Sequence, residues 1–306
     1  MKIIKPNIIF GNSNLFFFNS LLNIFNIKKN FLKIEKFKDG EFKIKLLKNF
    51  SEKTIFILQS LCDPIHENII ELLLIIDALK RNFIKNIYLI IPYFCYSRQD
   101  KLFLNNTSIS IKVITNLIDM CKIKKIITID SHSKNFECLF SSPIKILKST
   151  SLIVNDIIKN NILAEIIISP DIGGIERAKN LANYLNLELV IIDKRRPIVN
   201  NIKIYCIIGN VINKNCLIID DIIDTSNSLI ELVNFLFFHK IKKVKAYITH
   251  PVFSNNSYLK INNSKIDELI IMDTISLKKK ISKIRIITTK YIFIEEIKKT
   301  IINYAL

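Results

Sequence analysis

Short isoleucine-rich runs, each closed by polar turn residues and followed by a longer amphipathic stretch, recur along the chain. The runs Asn7–Phe10, Thr54–Gln59, Asn86–Ile91, Lys125–Ile129, Glu165–Ser169, Glu188–Ile192, Cys216–Asp220, Lys243–Thr249, Glu268–Met272 and Lys283–Thr288 read as strands. The stretches Glu67–Arg81, Ser110–Cys121, Gly174–Leu185, Thr225–Phe238 and Ile292–Asn303 read as helices. Asp63 and Pro64 just ahead of the first helix, with Glu67 and Glu71 in its opening turns, match helix start signals. Strands that stay apolar without a break are buried on both faces, so alternation with helices predicts mainly parallel, doubly wound sheets. The pattern runs twice. A Ser-Ser-Pro turn at Ser141–Pro143 precedes a new helix-like stretch from Ser149, which places a boundary between domains 1–148 and 149–306.

Composition narrows the function. The chain of 306 residues is 49% hydrophobic, but no apolar run approaches the roughly 20 residues of a spanning helix. Abundant Ile, Lys and Asn with five Gly and no Trp is the signature of an A/T-biased genome, which raises hydropathy without lipid contact. Residues 1–11 show no signal-peptide pattern, so a cytoplasmic enzyme without a membrane partner is expected. The six cysteines are scattered without a C-x-x-C pair, against a zinc site or disulfide framework. A net charge of +18 favours anionic partners. No basic block with interleaved aromatics occurs, which argues against nucleic acid and leaves phosphorylated metabolites.

In parallel α/β sheets ligands gather beyond the carboxyl ends of strands. The segment Cys216–Ser228 runs from an apolar strand into Asp220, Asp221 and Asp224, then into Thr225, Ser226, Asn227 and Ser228 at a helix start. Adjacent carboxylates repel, so their retention points to hydroxyl donors or cations nearby. A sugar diol and a phosphate at the helix N-terminus fit this arrangement, as does an ordinary N-cap cluster. Lys194, Arg195 and Arg196 follow another strand, either as a solvated face or as a clamp on developing negative charge. Ser169–Arg177 places Asp171 before a Gly pair and a helix, where a close backbone approach or a plain tight turn would serve. Asp130 and His132 end a further strand, Arg98 and Gln99 follow Ile91–Tyr96, and Phe37–Glu41 surrounds a Gly turn.

In order, these segments resemble the ribose-phosphate diphosphokinases (phosphoribosyl diphosphate synthetases). The resemblance rests on F-x-D-G-E at Phe37–Glu41, I-P-Y-F-x-Y-x-R-Q-D at Ile91–Asp100 and S-P-D-x-G-G-x-x-R-A at Ser169–Ala178. It also covers Asp193–Pro197, Ile219–Ser228 and T-H-P-V-F-S at Thr249–Ser254. The family has tandem phosphoribosyltransferase-like domains and transfers the diphosphate of ATP to the anomeric hydroxyl of ribose 5-phosphate, releasing AMP. The resemblance implies Lys194 and Arg196 as catalytic charge stabilisers, with Arg196 also reaching ribose 5-phosphate. It implies Asp220, Asp221 and Asp224 on the ribose, and Thr225, Ser226, Asn227 and Ser228 around its phosphate. His132 and Asp171 would bind Mg2+. Arg98 and Gln99 would contact ATP, with Phe37, Asp39, Gly40 and Glu41 reaching it from a neighbouring subunit of a homohexamer built from dimers.

Where the family's loop reads D-T-G-G-T, this chain reads Asp224-Thr225-Ser226-Asn227-Ser228. A left-handed backbone is unfavourable for Ser226 and easier for Asn227, so weak ribose 5-phosphate binding is expected, improved by Gly at both positions. Two alternatives stand beside this reading. A type I phosphoribosyltransferase shares the loop but lacks the N-terminal motifs, and a non-catalytic regulatory homologue would tolerate the altered loop.

Overall fold

The computed structural model describes residues 6–27, 31–50, 54–102, 105–133, 135–195 and 204–305. In chain order they form β1 (Ile8–Phe10), α1 (Leu15–Ile24), β2 (Leu32–Lys36), β3 (Phe42–Leu46), β4 (Thr54–Leu58), α2 (Ile65–Arg81), β5 (Asn86–Ile90), α3 (Ser110–Met120), β6 (Lys125–Ile129) and β7 (Ile144–Leu147). Then come α4 (Thr150–Lys159), β8 (Ile166–Ser169), α5 (Ile175–Leu185), β9 (Glu188–Arg195), β10 (Ile204–Ile208), β11 (Asn215–Ile223), α6 (Asn227–Phe238), β12 (Lys243–Pro251), α7 (Ser257–Asn262), β13 (Glu268–Met272), β14 (Ile284–Ile287) and α8 (Lys290–Ala305).

The chain divides into two compact units. The first holds a five-stranded sheet in the order β1-β4-β5-β6-β7, parallel throughout, and a separate antiparallel β2–β3 hairpin. β4, β5 and β6 are buried almost end to end because helices cover both faces, as their unbroken apolar sequences require. α2 turns Ile69, Leu72, Ile75, Ile76 and Leu79 inward at helical spacing. Pro64 occupies its N-cap position, with Glu67 in the first turn and Lys80 and Arg81 in the last, matching the helix dipole. Glu71, expected to share the dipole role with Glu67, is instead buried beyond the carboxyl ends of β1 and β4, against Asn12 and Gln59.

The second unit holds a seven-stranded sheet in the order β10-β9-β8-β11-β12-β13-β14. Every pair is parallel except β10–β9 at one edge. Its core joins Ile166, Ile168, Val190, Ile218, Val233, Leu236 and Ile248. The two mainly parallel, doubly wound sheets are the expected fold class.

The boundary at 148 assigns everything beyond it to one domain. In the structure Thr274–Ser276 and the segment from Thr289 onward group with the first unit. Physical contacts explain this. Phe293 of α8 meets Phe17 of α1 at 5.7 Å between ring centroids, and Glu296 pairs with Lys125 at 2.6 Å. Ser60 Oγ donates to the Thr274 carbonyl (2.8 Å), and Ser276 Oγ donates to Asn14 Oδ1 (2.6 Å). No described helix is long and apolar enough to cross a membrane.

Candidate active site

The densest chemistry lies at the carboxyl end of β11 in the second unit. The strand is buried from Cys216 to Ile219, then delivers Asp220 and Asp221 into a polar setting. Neighbouring side chains on a strand ordinarily face opposite ways. Here Asp220 Oδ1 accepts the backbone N–H of Asp221 at 2.8 Å, which folds its carboxylate back toward that of its neighbour. Arg177, one turn into α5, meets both carboxylates: 3.5 Å to Asp220 Oδ1, and 3.4 and 3.3 Å to the two oxygens of Asp221. Burial, reinforced by the charge of Asp221, pushes the Asp220 carboxyl well above the usual carboxylate range, against the pull of Arg177.

Asp171 lies close enough to add to the same negative field. Its Oδ1 accepts the Gly174 N–H at 2.8 Å, and its carbonyl accepts Ser169 Oγ at 2.7 Å. A Cβ at Gly174 would sit 3.1 Å from Ser169 Oγ, so the Gly pair keeps this closed turn tight. The turn feeds directly into α5, setting the phase at which Arg177 emerges.

After β11 the chain enters the hydroxyl-rich loop. Ser254 N–H donates to Asp224 Oδ1 (3.3 Å) and Ser257 Oγ donates to the Asp224 carbonyl (2.6 Å), so the connection from β12 into α7 buttresses this loop. Ser226 takes the left-handed conformation, with φ of 65°. Its side chain is buried, and Oγ has no hydrogen-bond partner among the described residues. Asn227 opens α6 and does not share the positive φ; its Oδ1 accepts from Lys260 Nζ at 2.8 Å. The expected gain from Gly at both positions therefore attaches to Ser226 alone.

Lys194 Nζ donates to Ser228 Oγ at 3.3 Å, linking the basic segment to the hydroxyl loop. Lys194 and Arg195, expected to follow the strand, lie within it. Asp193, Lys194 and Arg195 continue β9 because β10 pairs with them antiparallel, Lys194 opposite Tyr205. Arg196 lies outside the described residues.

The first unit carries the remaining candidates. β5 and β6 are parallel neighbours, so the loops holding Arg98–Gln99 and His132 leave from the same end of the sheet. Tyr96, with φ of 58°, turns the chain ahead of Arg98, and its hydroxyl lies 2.8 Å from His66 Nε2. Gln99 Oε1 accepts from Ser110 Oγ at the start of α3, which ties the side chain to the helix. Arg98, Gln99 and His132 are exposed. Phe37–Glu41 forms the tip of the β2–β3 hairpin, closed by Phe37 N–H to the Glu41 carbonyl (2.8 Å) and Glu41 N–H to Asp39 Oδ1 (3.1 Å). Gly40 has φ of 97° there, in open space, and all five residues are exposed.

Sequence reasoning missed Arg177 as a site residue. Its signal was present, since it closes the S-P-D-x-G-G-x-x-R pattern one helical turn beyond the Gly pair.

Comparisons with known proteins agree along the chain. Residues 7–121 match the N-terminal domain of ribose phosphate pyrophosphokinase, and residues 193–305 match the phosphoribosyl synthetase-associated domain. A ribose-phosphate pyrophosphokinase of Burkholderia pseudomallei is 39% identical over 80% of this chain and 77% of its own. One from Campylobacter jejuni is 37% identical over 88% and 87%. The crystal structure of phosphoribosylpyrophosphate synthetase from Mycobacterium smegmatis superposes with a TM-score of 0.90 at 24% identity, covering 97% of this chain and 99% of the other, a likeness of fold.

Proposed function

The chain belongs to the ribose-phosphate pyrophosphokinase family and is an enzyme of that kind; we propose that the carboxyl end of β11 is where it holds ribose 5-phosphate for diphosphoryl transfer from ATP. The observation that carries this reading is the contact of Lys194 with Ser228, in the hydroxyl-rich loop that directly follows Asp220 and Asp221 at the carboxyl end of β11. The carboxylates accept the ribose hydroxyls. The amides and hydroxyls opening α6 take the phosphate, favoured by the helix dipole.

In this reading the anomeric oxygen attacks the β-phosphorus of ATP in line, the bond to the α-phosphate oxygen breaks, and AMP leaves. Such transfers need positioning and charge neutralisation more than covalent help from the protein. Lys194 and Arg196 would supply cationic donors where charge grows. Among the described residues no three His, Cys, Asp or Glu side chains gather as a metal cage. Magnesium usually keeps several waters and binds through one or two protein groups plus substrate phosphates. His132 and Asp171, each exposed at a strand end of its own unit, are proposed individually as groups able to ligate it. When bound it would offset the charge of the ATP phosphates.

Arg98 and Gln99 are proposed to contact ATP, and the exposed hairpin tip Phe37, Asp39, Gly40 and Glu41 to reach it across a subunit contact. That arrangement implies an oligomer, proposed as a homohexamer built from dimers. The N-terminal match favours this reading over a type I phosphoribosyltransferase. Incubation with ATP, ribose 5-phosphate and magnesium tests the reaction. AMP is expected to form in step with phosphoribosyl diphosphate, and ADP as the main product would reject it.

A further inference from the structure

Two adjacent carboxylates at one strand end cannot be left to themselves. Side by side in a half-buried setting they repel, one of them takes up a proton, and their directions are poorly defined. In this protein Asp221 is 4% exposed at its side chain and Asp220 29%, with Arg177 between these extremes at 19%. The guanidinium contacts both acids within 3.5 Å, with NH1 and NH2 directed to different oxygens. A planar fork of donors can span two carboxylates in this way, whereas a lysine ammonium acts as a point charge.

The base of this arm is fixed as well. The Gly174 N–H is held by Asp171 Oδ1 at the entrance to α5, and Arg177 emerges a turn later. Asp171 and Arg177 also act on Asp220 with opposite sign, the first favouring its proton and the second opposing it.

We propose that Arg177 is a positioning residue for ribose 5-phosphate: its guanidinium orients Asp220 and Asp221 so that they accept the ribose hydroxyls. The inference rests on the site reading above and assigns Arg177 no contact with substrate. Its loss leaves the two acids mutually repelling and misaligned, which weakens the sugar site while leaving ATP recognition at Arg98 and Gln99 alone.

Full-length Arg177→Gln and Arg177→Lys enzymes, compared with the parent at saturating co-substrate, test this. The Gln variant is expected to raise KM for ribose 5-phosphate tenfold or more, with KM for ATP changed less than twofold. The Lys variant should lie between, because it restores charge without the fork. An unchanged KM for ribose 5-phosphate in both variants would overturn the proposal. So would equal increases in the two KM values, which would mark a general structural role. If the Gln variant does not fold, the Lys variant decides alone by the same selectivity. A parent enzyme that forms no AMP from ATP and ribose 5-phosphate would instead remove the functional reading beneath it.

Discussion

Two clusters of polar side chains sit at carboxyl ends of parallel strands in this molecule, one in each unit, and they are built to opposite standards. In the first unit, beyond β1 and β4, buried Glu71 accepts from Asn12 N–H (2.8 Å), Asn12 Nδ2 (3.1 Å) and Gln59 Nε2 (3.1 Å). Gln59 Nε2 also reaches Asn68 Oδ1 (3.2 Å), Asn68 Nδ2 donates to the Cys62 carbonyl (2.9 Å), and Ser13 Oγ donates to Gln59 Oε1 (3.1 Å). Burial still pushes the Glu71 carboxyl upward, yet its acceptors are matched by donors at ordinary distances. In the second unit Asp220 and Asp221, in the last part of β11, meet Arg177 at 3.3–3.5 Å, and Ser226 Oγ lies buried without a partner among the described residues. A closed polar network of the first kind specifies a core. A buried hydroxyl without a partner on a left-handed residue is an imbalance of the kind that functional sites retain.

Substitutions can break or sharpen this contrast. The largest effect should come from Lys194→Ala, because a donor aimed at charge that develops during reaction typically contributes about 3–4 kcal/mol, or about 10²–10³ in rate. Turnover should fall by that order while ribose 5-phosphate affinity changes far less; unchanged turnover would remove Lys194 from the mechanism. Next is Gly11→Ala in the closed cluster. Its Cβ would sit 2.2 Å from both Gln59 Oε1 and Glu71 Oε1, so the network must open. Overpacking of this kind destabilises by about 1–3 kcal/mol, measurable as a lower denaturant midpoint. A midpoint equal to the parent's would show that the cluster is slack after all.

The smallest effect belongs to Ser226→Gly. Relief of a left-handed non-glycine residue is worth roughly 1–2 kcal/mol, and the partnerless hydroxyl disappears with it. Both stability and ribose 5-phosphate affinity should rise, the latter by up to about tenfold. Asn227→Gly should bring no gain, because it removes the Lys260 contact and relieves no positive φ. Improvement from Asn227→Gly, or none from Ser226→Gly, would contradict this account of the loop.

Much of this was legible in the sequence because parallel strands buried on both faces must be continuously apolar. β6 and β13 carry the same bounds in the sequence reading and in the structure. The β2–β3 hairpin went unread although Leu32 and Ile34, then Phe42, Ile44 and Leu46, alternate with charged residues; its five-residue strands are lysine-rich and half exposed, unlike the continuous apolar runs of the parallel sheets. α1 was missed for the opposite reason: Leu15–Ile24 is apolar nearly all round, so helical periodicity is faint. β10 exists through pairing with β9, a partner that local sequence does not announce. The carboxylates and hydroxyl loop were visible as a contiguous segment. The bridge from Arg177 was not, since it joins residues 44 positions apart through the packing of α5 on β11. Nor does residue type alone say which position of the Ser226–Asn227 pair takes the left-handed turn.

The central claim is that the carboxyl end of β11, and not the closed cluster beyond β4, receives ribose 5-phosphate. Calorimetric titration of ribose 5-phosphate into the parent and Asp220→Asn proteins tests it most directly. The more exposed of the paired acids should matter through its acceptor oxygens, so the variant is predicted to bind at least about tenfold more weakly, a loss of about 1.4 kcal/mol or more. Equal affinity in the two proteins would contradict the assignment.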